Sequence, residues 1–477
     1  PKDFRDTLNQ EFGMKKFLGI ALSVALAVIG VGCGNSSSPS SPTSPSAQTA
    51  NVFVTGEDAP LASVVGFEVT VNSITLTGGS SPQILSAATT VDFARLLGLR
   101  SPLAFNSVPA GTYTGATFSL STPVISYVDM STTPPTLSSI NGTFNTAGGP
   151  TTTTVSVTFP SSMVVGSNGL AGLRMDFDIR QSVQVDGTGN VTGVVTPTIY
   201  ASAVQASDSN AQITDLMGGL VSVNAAGNSF VVQGPYGHQW TVDVSTSTQF
   251  NTGWTINNLA TPAFVGVQGS FQADGSLAAA NVEVITTSQA FLSGRVLEIN
   301  PTSGPVQQVT MFVGETSADL VADSRTIQTI DLSAVASNNY DICFFNNLFT
   351  NALFSPDHVL VGQRVFIGGS FSNNVFTPQM ASLRLQGVYG TMTGTPTVVN
   401  DNLGNFQLQN NALIGYSLGG SPLTVWTGNT TLFINTTGLS ALTSGESLVA
   451  GGLLFYDDLT AGPIMAAGVV VDPPPTQ

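Results

Sequence analysis

The residues able to do chemistry in this 477-residue chain are few. Gly415, Tyr416, Ser417, Leu418 and Gly419 spell G-x-S-x-G, the string that presents a nucleophilic serine when it turns a strand into a helix. Such a serine needs a carboxylate and then a histidine later in the chain, and no histidine follows Ser417; His238 and His358 both precede it. The string therefore predicts a turn and not a nucleophile. Asp176 and Asp178, in LRMDFDIR, share one face of a strand and could form an acid/base pair of the kind that cleaves glycosidic bonds. Arg174 and Arg180 flank them on that same face, so the alternation predicts a charge-balanced surface in water. Asp186 in VDGTGN and Asp401 in VVNDNLGN sit in strings that hairpin turns demand, without the spacing of a calcium loop. Two isolated histidines fall short of a transition-metal site, so neither a metal nor a cofactor is expected. Cys343, in DICFF, reads as a buried free thiol.

The aromatic residues suggest binding. Trp240 lies in phase with Val242 and Val244 and belongs to a core. Trp254, in a turn-rich segment, and Trp426, out of phase with Leu423 and Val425, are candidate exposed aromatics for gripping a sugar or another small ligand.

The elements that must position these residues are short strands. The chain is 42% hydrophobic and 8% charged, with 50 Gly and 26 Pro, a balance that favours strands and turns. Its net charge is −16. No lysine follows Lys16, and the remaining cations are Arg95, Arg100, Arg174, Arg180, Arg295, Arg325, Arg364 and Arg384, scattered singly. Nucleic-acid binding needs clustered cations and is excluded. Schiff-base and Ser–Lys chemistry need a lysine and are excluded beyond residue 16.

At the other end, Lys15 and Lys16 precede an apolar run from Phe17 to Val31, shorter than the roughly 20 residues of a spanning helix. It reads as the h-region of a signal. Gly30 and Gly32 follow, then Cys33, then a Ser/Pro-rich stretch from Asn35 to Gln48. This arrangement resembles a bacterial lipoprotein signal, although Gly30 stands where that family usually carries Leu. The resemblance implies cleavage after Gly32 and acylation of Cys33, making the membrane a partner through a lipid anchor. Gly34 in place of Asp implies sorting to the outer membrane. Residues 1–13 read as an over-extended reading frame, 14–32 as the signal, and 33–50 as the lipidated cysteine with a tether reaching about 20 to 40 Å.

From Asn51 onward the hydrophobic pattern has period two. In FEVTVNSITLT, Phe67, Val69 and Val71 point one way, and Ile74 and Leu76 continue with the phase slipped by one. That slip predicts a bulge at Asn72 and Ser73. DAPL at 58–61, FEVTVNSITL, VDFARLLGL, VPAGTYTGATFSL and LRMDFDIRQSV, in that order, resemble the bacterial family called domain of unknown function 4382. The likeness covers residues 51–205 and implies a transthyretin-like or immunoglobulin-like β-sandwich. VDFARLLGL is the one helix-like stretch.

Beyond a polar break at 206–210, GNSFVVQ, WTVDVSTSTQF and FVGVQGSF are echoed by GNFQLQ, LTVWTGNTTLF and LVGQRVFIGGSF. These strings resemble the family called domain of unknown function 5666. They divide the chain into three tandem copies, 214–288, 289–385 and 386–472, the middle one carrying an insertion-like YDICFFNNLFTNALF. Each is long enough for a small barrel that hides its edges.

The expectation is an all-β chain: a sandwich followed by three spaced, self-contained barrels. As a function it suggests a non-enzymatic, lipid-anchored protein of the bacterial cell envelope serving as a surface, scaffold or adhesive protein. The alternative is an extracytoplasmic binder of a glycan or small ligand, with a glycan or an envelope protein as partner; a hydrolase ranks third.

Overall fold

The computed structural model describes residues 49–472, apart from 60–63, 86, 130–135, 147–148, 188–189, 289, 346–347, 350–351, 401, 411–421 and 459–461. The G-x-S-x-G string, Cys33, Gly32 and Asp401 lie outside the described residues. What is described is almost entirely β, with 3-10 turns and one four-residue helix, Ile179–Ser182. Among the described residues no helix is long and apolar enough to cross a membrane.

The N-terminal part is a sandwich. One sheet orders Ile199–Gln205, Leu170–Asp178, Thr49–Ala59 and Ser101–Pro109, with Thr49–Ala59 and Leu170–Asp178 parallel. The other is built on Val64–Thr77 and Gly111–Asp129, flanked by Gln83–Leu85, Thr89–Asp92, Thr136–Asn141 and Thr152–Val165. Their inner faces share one core, in which Phe67, Val69, Val71, Ile74 and Leu76 all lie beside Leu173, Met175 and Phe177. The register of Val64–Thr77 slips between Val71 and Ser73, so the bulge read from the phase change is present.

After Gln205 the same strand order occurs three times. In the C-terminal copy, Gln386–Asn400, Leu403–Asn410 and Leu423–Ile434 are joined by hairpin pairing. Leu423–Ile434 then runs parallel to Gly462–Val471, and Ser447–Asp457 closes the barrel between Gly462–Val471 and Gln386–Asn400. In the first copy, Ile213–Asn224, Ser229–Gln233, Gln239–Asp243, Phe264–Phe271 and Leu277–Thr286 follow the same path. The parallel bridge from Val242 and Asp243 to Leu277 and Ala278 brings its ends together.

The middle copy repeats the path through Ala290–Asn300, Gln308–Thr316, Ile327–Asp331, Arg364–Ser372 and Val375–Leu383. There the short strand Tyr340–Ile342, from the insertion-like segment, takes the parallel place beside Val375–Leu383 that the third strand fills elsewhere.

The units are not spaced. Phe53 of the sandwich stacks on Phe271 of the first barrel at 4.8 Å between ring centroids. Phe264 of the first barrel meets Phe291 and Phe366 of the second. Leu453, Phe455, Ile464 and Ala466 of the third barrel lie in the core of the second. The expectation of self-contained barrels fails for a physical reason: barrels this small bury little of their own apolar surface, and these complete their cores against one another.

Candidate functional site at the junction and in the sandwich cleft

The junction is organised by ten residues, VDFARLLGLR. After Thr89–Asp92 the chain enters a 3-10 turn, Phe93–Leu96, and reverses at Gly98 with φ +64°. At such turn spacing successive side chains radiate in different directions, and here the segment reaches all four units. Phe93 and Leu96 enter the sandwich core. Leu97 packs with Tyr389, Ile434, Val449, Val469 and Val471 of the third barrel, while Leu99 joins the second barrel's core. The backbone Nα of Arg100 donates to Thr214 Oγ1 of the first barrel at 2.8 Å, and its Nε donates to Gln212 O at 2.8 Å. The third barrel meets this segment through glycines: a Cβ at Gly387 would lie 2.4 Å from Leu97 O, and one at Gly98 would lie 2.9 Å from Gly451 Cα.

Arg95 carries the charge of this junction. Its Nη2 is 3.0 Å from Asp215 Oδ2 of the first barrel, and its Nε pairs with Glu315 of the second. Arg364 pairs with the same glutamate at 3.3 Å. Nearby, Arg384 of the second barrel holds Glu283 of the first, and Arg325 of the second barrel holds Glu68 and Asp92 of the sandwich at 2.7 and 3.0 Å. Arg180 of the sandwich donates to Tyr389 Oη of the third barrel and lies 4.7 Å from that ring's centroid.

Burial alone would raise the Asp215 carboxyl, but Arg95, then Arg364 and Arg384, outweigh it and hold the group below its ordinary value. Burial raises the Glu68 carboxyl, with Arg325 opposing it. Arg295, opposite Arg364 in the strand ladder, is pushed down to about 10 by burial and then by Arg364; it keeps its charge at neutral pH.

Two open spaces adjoin these contacts. One, of about 490 Å³, lies where the units meet and is lined by Arg100, Gln212, Gln268, Asn281 and Thr431 among others. The other, of about 680 Å³, opens between the sandwich strands Thr152–Val165 and Ile199–Gln205 and includes Arg174, Asp176, Gln181 and Tyr200, with Asn435 of the third barrel. Both fall in the range of small-molecule sites.

The residues singled out in the sequence fall as follows. Leu173, Met175, Phe177 and Ile179 are fully buried, but the opposite face of LRMDFDIR is only partly in water: Arg174 is 8% exposed and Asp178 1%, while Asp176 and Arg180 are half-buried. Asp178 caps the short helix, accepting from the backbone of Gln181 at 3.0 Å and from its Nε2 at 2.6 Å, whereas Asp176 lines the cleft. The two carboxylates therefore do different jobs. The alternation rule placed them on one face correctly, but it could not see that other segments, Asn435 of the third barrel among them, close over part of that face.

Trp254 is half-buried against the first barrel's core and Trp426 against the second's, edge-on to Phe349 at 6.3 Å. They belong to different barrels. Trp240 is buried. Asp186 accepts from the backbone of Asn190 at 2.9 Å, closing a turn. Cys343 is buried and free, and burial pushes its thiol well up.

His238 Nε2 lies 3.3 Å from Thr89 Oγ1. His358 is the more suggestive: Ser355 Oγ is 2.7 Å from its Nδ1 and Asp458 Oδ2 is 3.3 Å from its Nε2. Yet Ser355 also accepts from Asp357 N at 3.3 Å as the cap of the turn Pro356–His358. Asp458 is 72% exposed, too wet to orient an imidazole firmly. The trio is a capped turn. Among the described residues no group of His, Cys, Asp and Glu could hold a metal ion.

Sequence reasoning missed the arginines. The available signal was two of them, Arg95 inside the mostly apolar helix-like stretch VDFARLLGL and Arg100 directly after it. Compared with known proteins, the chain matches no family model and no curated sequence, so a functional reading rests on the site itself.

Proposed function

We propose that the chain is a non-enzymatic, lipid-anchored protein of the bacterial cell envelope whose β-units act together as a rigid surface scaffold. The observation that carries this is the use of its cations. Of the eight arginines beyond Lys16, Arg95, Arg100, Arg180, Arg325, Arg364 and Arg384 reach across a boundary between units, so the charge that could recruit an anionic partner is spent on holding units together. The groups a catalyst would use are occupied likewise, Asp178 and Ser355 as caps and Cys343 in a core.

The anchor rests on the Lys15–Cys33 stretch and its resemblance to lipoprotein signals, and Gly34 favours the outer membrane. Two or three acyl chains hold a protein essentially permanently, each buried methylene contributing about 0.8 kcal/mol. The test is fractionation: Cys33→Ser is expected to move the protein from the membrane pellet to the soluble fraction, and an unchanged distribution would overturn the reading. A second reading, an extracytoplasmic binder of a glycan or small ligand, draws on the polar cleft of the sandwich.

A further inference from the structure

The cleft between Thr152–Val165 and Ile199–Gln205 has an ordered floor. Arg174 and Asp176 stand two apart on one strand, so their side chains share a face. Their cross-strand partners in Ile199–Gln205 are Ser202 and Tyr200. Side chains paired this way sit about 5 Å apart, and the four form a patch with a guanidinium and a hydroxyl at one end, a carboxylate and a phenol ring at the other. Gln181 extends it, its Nε2 donating to Tyr200 Oη at 3.0 Å. Val155 and Val157 supply an apolar wall, and Asn435 reaches in from the third barrel.

We propose that this cleft binds a short, uncharged carbohydrate segment. Three features select that class. The floor carries one cation and one anion, so it gains nothing from a net charge on the ligand and would leave one of its own charges poorly matched against an ionic one. Its donors and acceptors alternate over a few ångströms, the pattern that adjacent sugar hydroxyls, each donor and acceptor at once, can satisfy together. The half-buried Tyr200 ring and the valine wall suit the C–H faces of a sugar ring. This reading deepens the ligand-binding alternative and is independent of the anchor.

The test is calorimetric titration of the full-length chain with short neutral hexose and N-acetylhexosamine oligomers, with their uronic-acid counterparts and an uncharged peptide alongside. A neutral oligomer is expected to bind, and Tyr200→Ala to weaken it about tenfold or more, the loss of roughly one good contact. Ser202→Trp, half-buried on the floor beside Arg174, fills the cleft without removing a core residue and is expected to abolish binding while the chain keeps its cooperative melting. Should Tyr200→Ala unfold the chain, Ser202→Trp decides alone. No binding by any neutral oligomer, binding that survives Ser202→Trp, or tighter binding of the acidic oligomers or the peptide would each overturn the proposal. A chain that still pellets with membranes yet binds no sugar loses this proposal and keeps the scaffold.

Discussion

Arg384 of the second barrel and Glu283 of the first face each other as a two-pronged pair, Nη1 to Oε1 at 2.8 Å and Nη2 to Oε2 at 2.9 Å, each side chain only 2% exposed. A guanidinium and a carboxylate meet in this geometry only when both planes are held in place. The pair therefore reports how firmly the two barrels are docked.

Removing one partner leaves the other charged and out of water, which costs about 3 to 5 kcal/mol, whereas replacing both with apolar groups of similar size is close to neutral. Glu283→Ala is expected to fall in that range by urea denaturation, and Glu283→Leu with Arg384→Met to recover most of it. Cys343, fully buried beside this pair, supplies the readout: its thiol should resist labelling in the native chain and label faster in Glu283→Ala. A single variant costing under about 1 kcal/mol would show the pair to be solvated, as exposed pairs are.

Docking of the third barrel rests on backbone contact. Gly387→Ala puts a methyl group 2.4 Å from both Leu97 Cγ and Leu97 O, and the carbonyl, being backbone, cannot rotate away. Overpacking of this kind costs about 1 to 3 kcal/mol. Because the strain falls between units, the expected signature is a thermal transition that splits in two, with residues 386–472 melting first. A single transition, merely shifted, would place the strain inside one barrel.

Acid should loosen the junction before it unfolds the units. Asp215 is held below its ordinary value of 3.8, so its contribution is fully present above about pH 4 and is lost as pH falls through its lower native value. Glu68 is shifted the other way, so protonating it relieves a penalty as pH falls and offsets part of that loss. Asp215→Asn should flatten the acid limb of the stability curve below pH 4 while lowering stability at neutral pH. An unchanged acid limb would mean that the Arg95–Asp215 pair is not what acid breaks.

Much of the fold was legible because strand patterning is local. The slip from Val71 to Ile74 declares a bulge in eleven residues, and the echo between GNSFVVQ and GNFQLQ marks second strands of two barrels that share a strand order. The candidate site was legible only in part. LRMDFDIR gave away which side chains face together but not what lies around them, since the cleft that includes Arg174 is lined by residues of 155–160 and 197–202 and, at Asn435, by another unit.

The sequence by itself determined the all-β class, the alternating cores and the burial of Cys343, because each follows from side chains acting on their immediate neighbours. Only the tertiary structure decided the fate of the arginines. Arg95, between Asp92 and Arg100 in VDFARLLGLR, reads as an unpaired surface cation until Asp215 and Glu315, 120 and 220 positions later, are brought to it. A desolvated charge is tolerable only beside its opposite, and the packing of separate units, which no local pattern encodes, is what supplies the opposite.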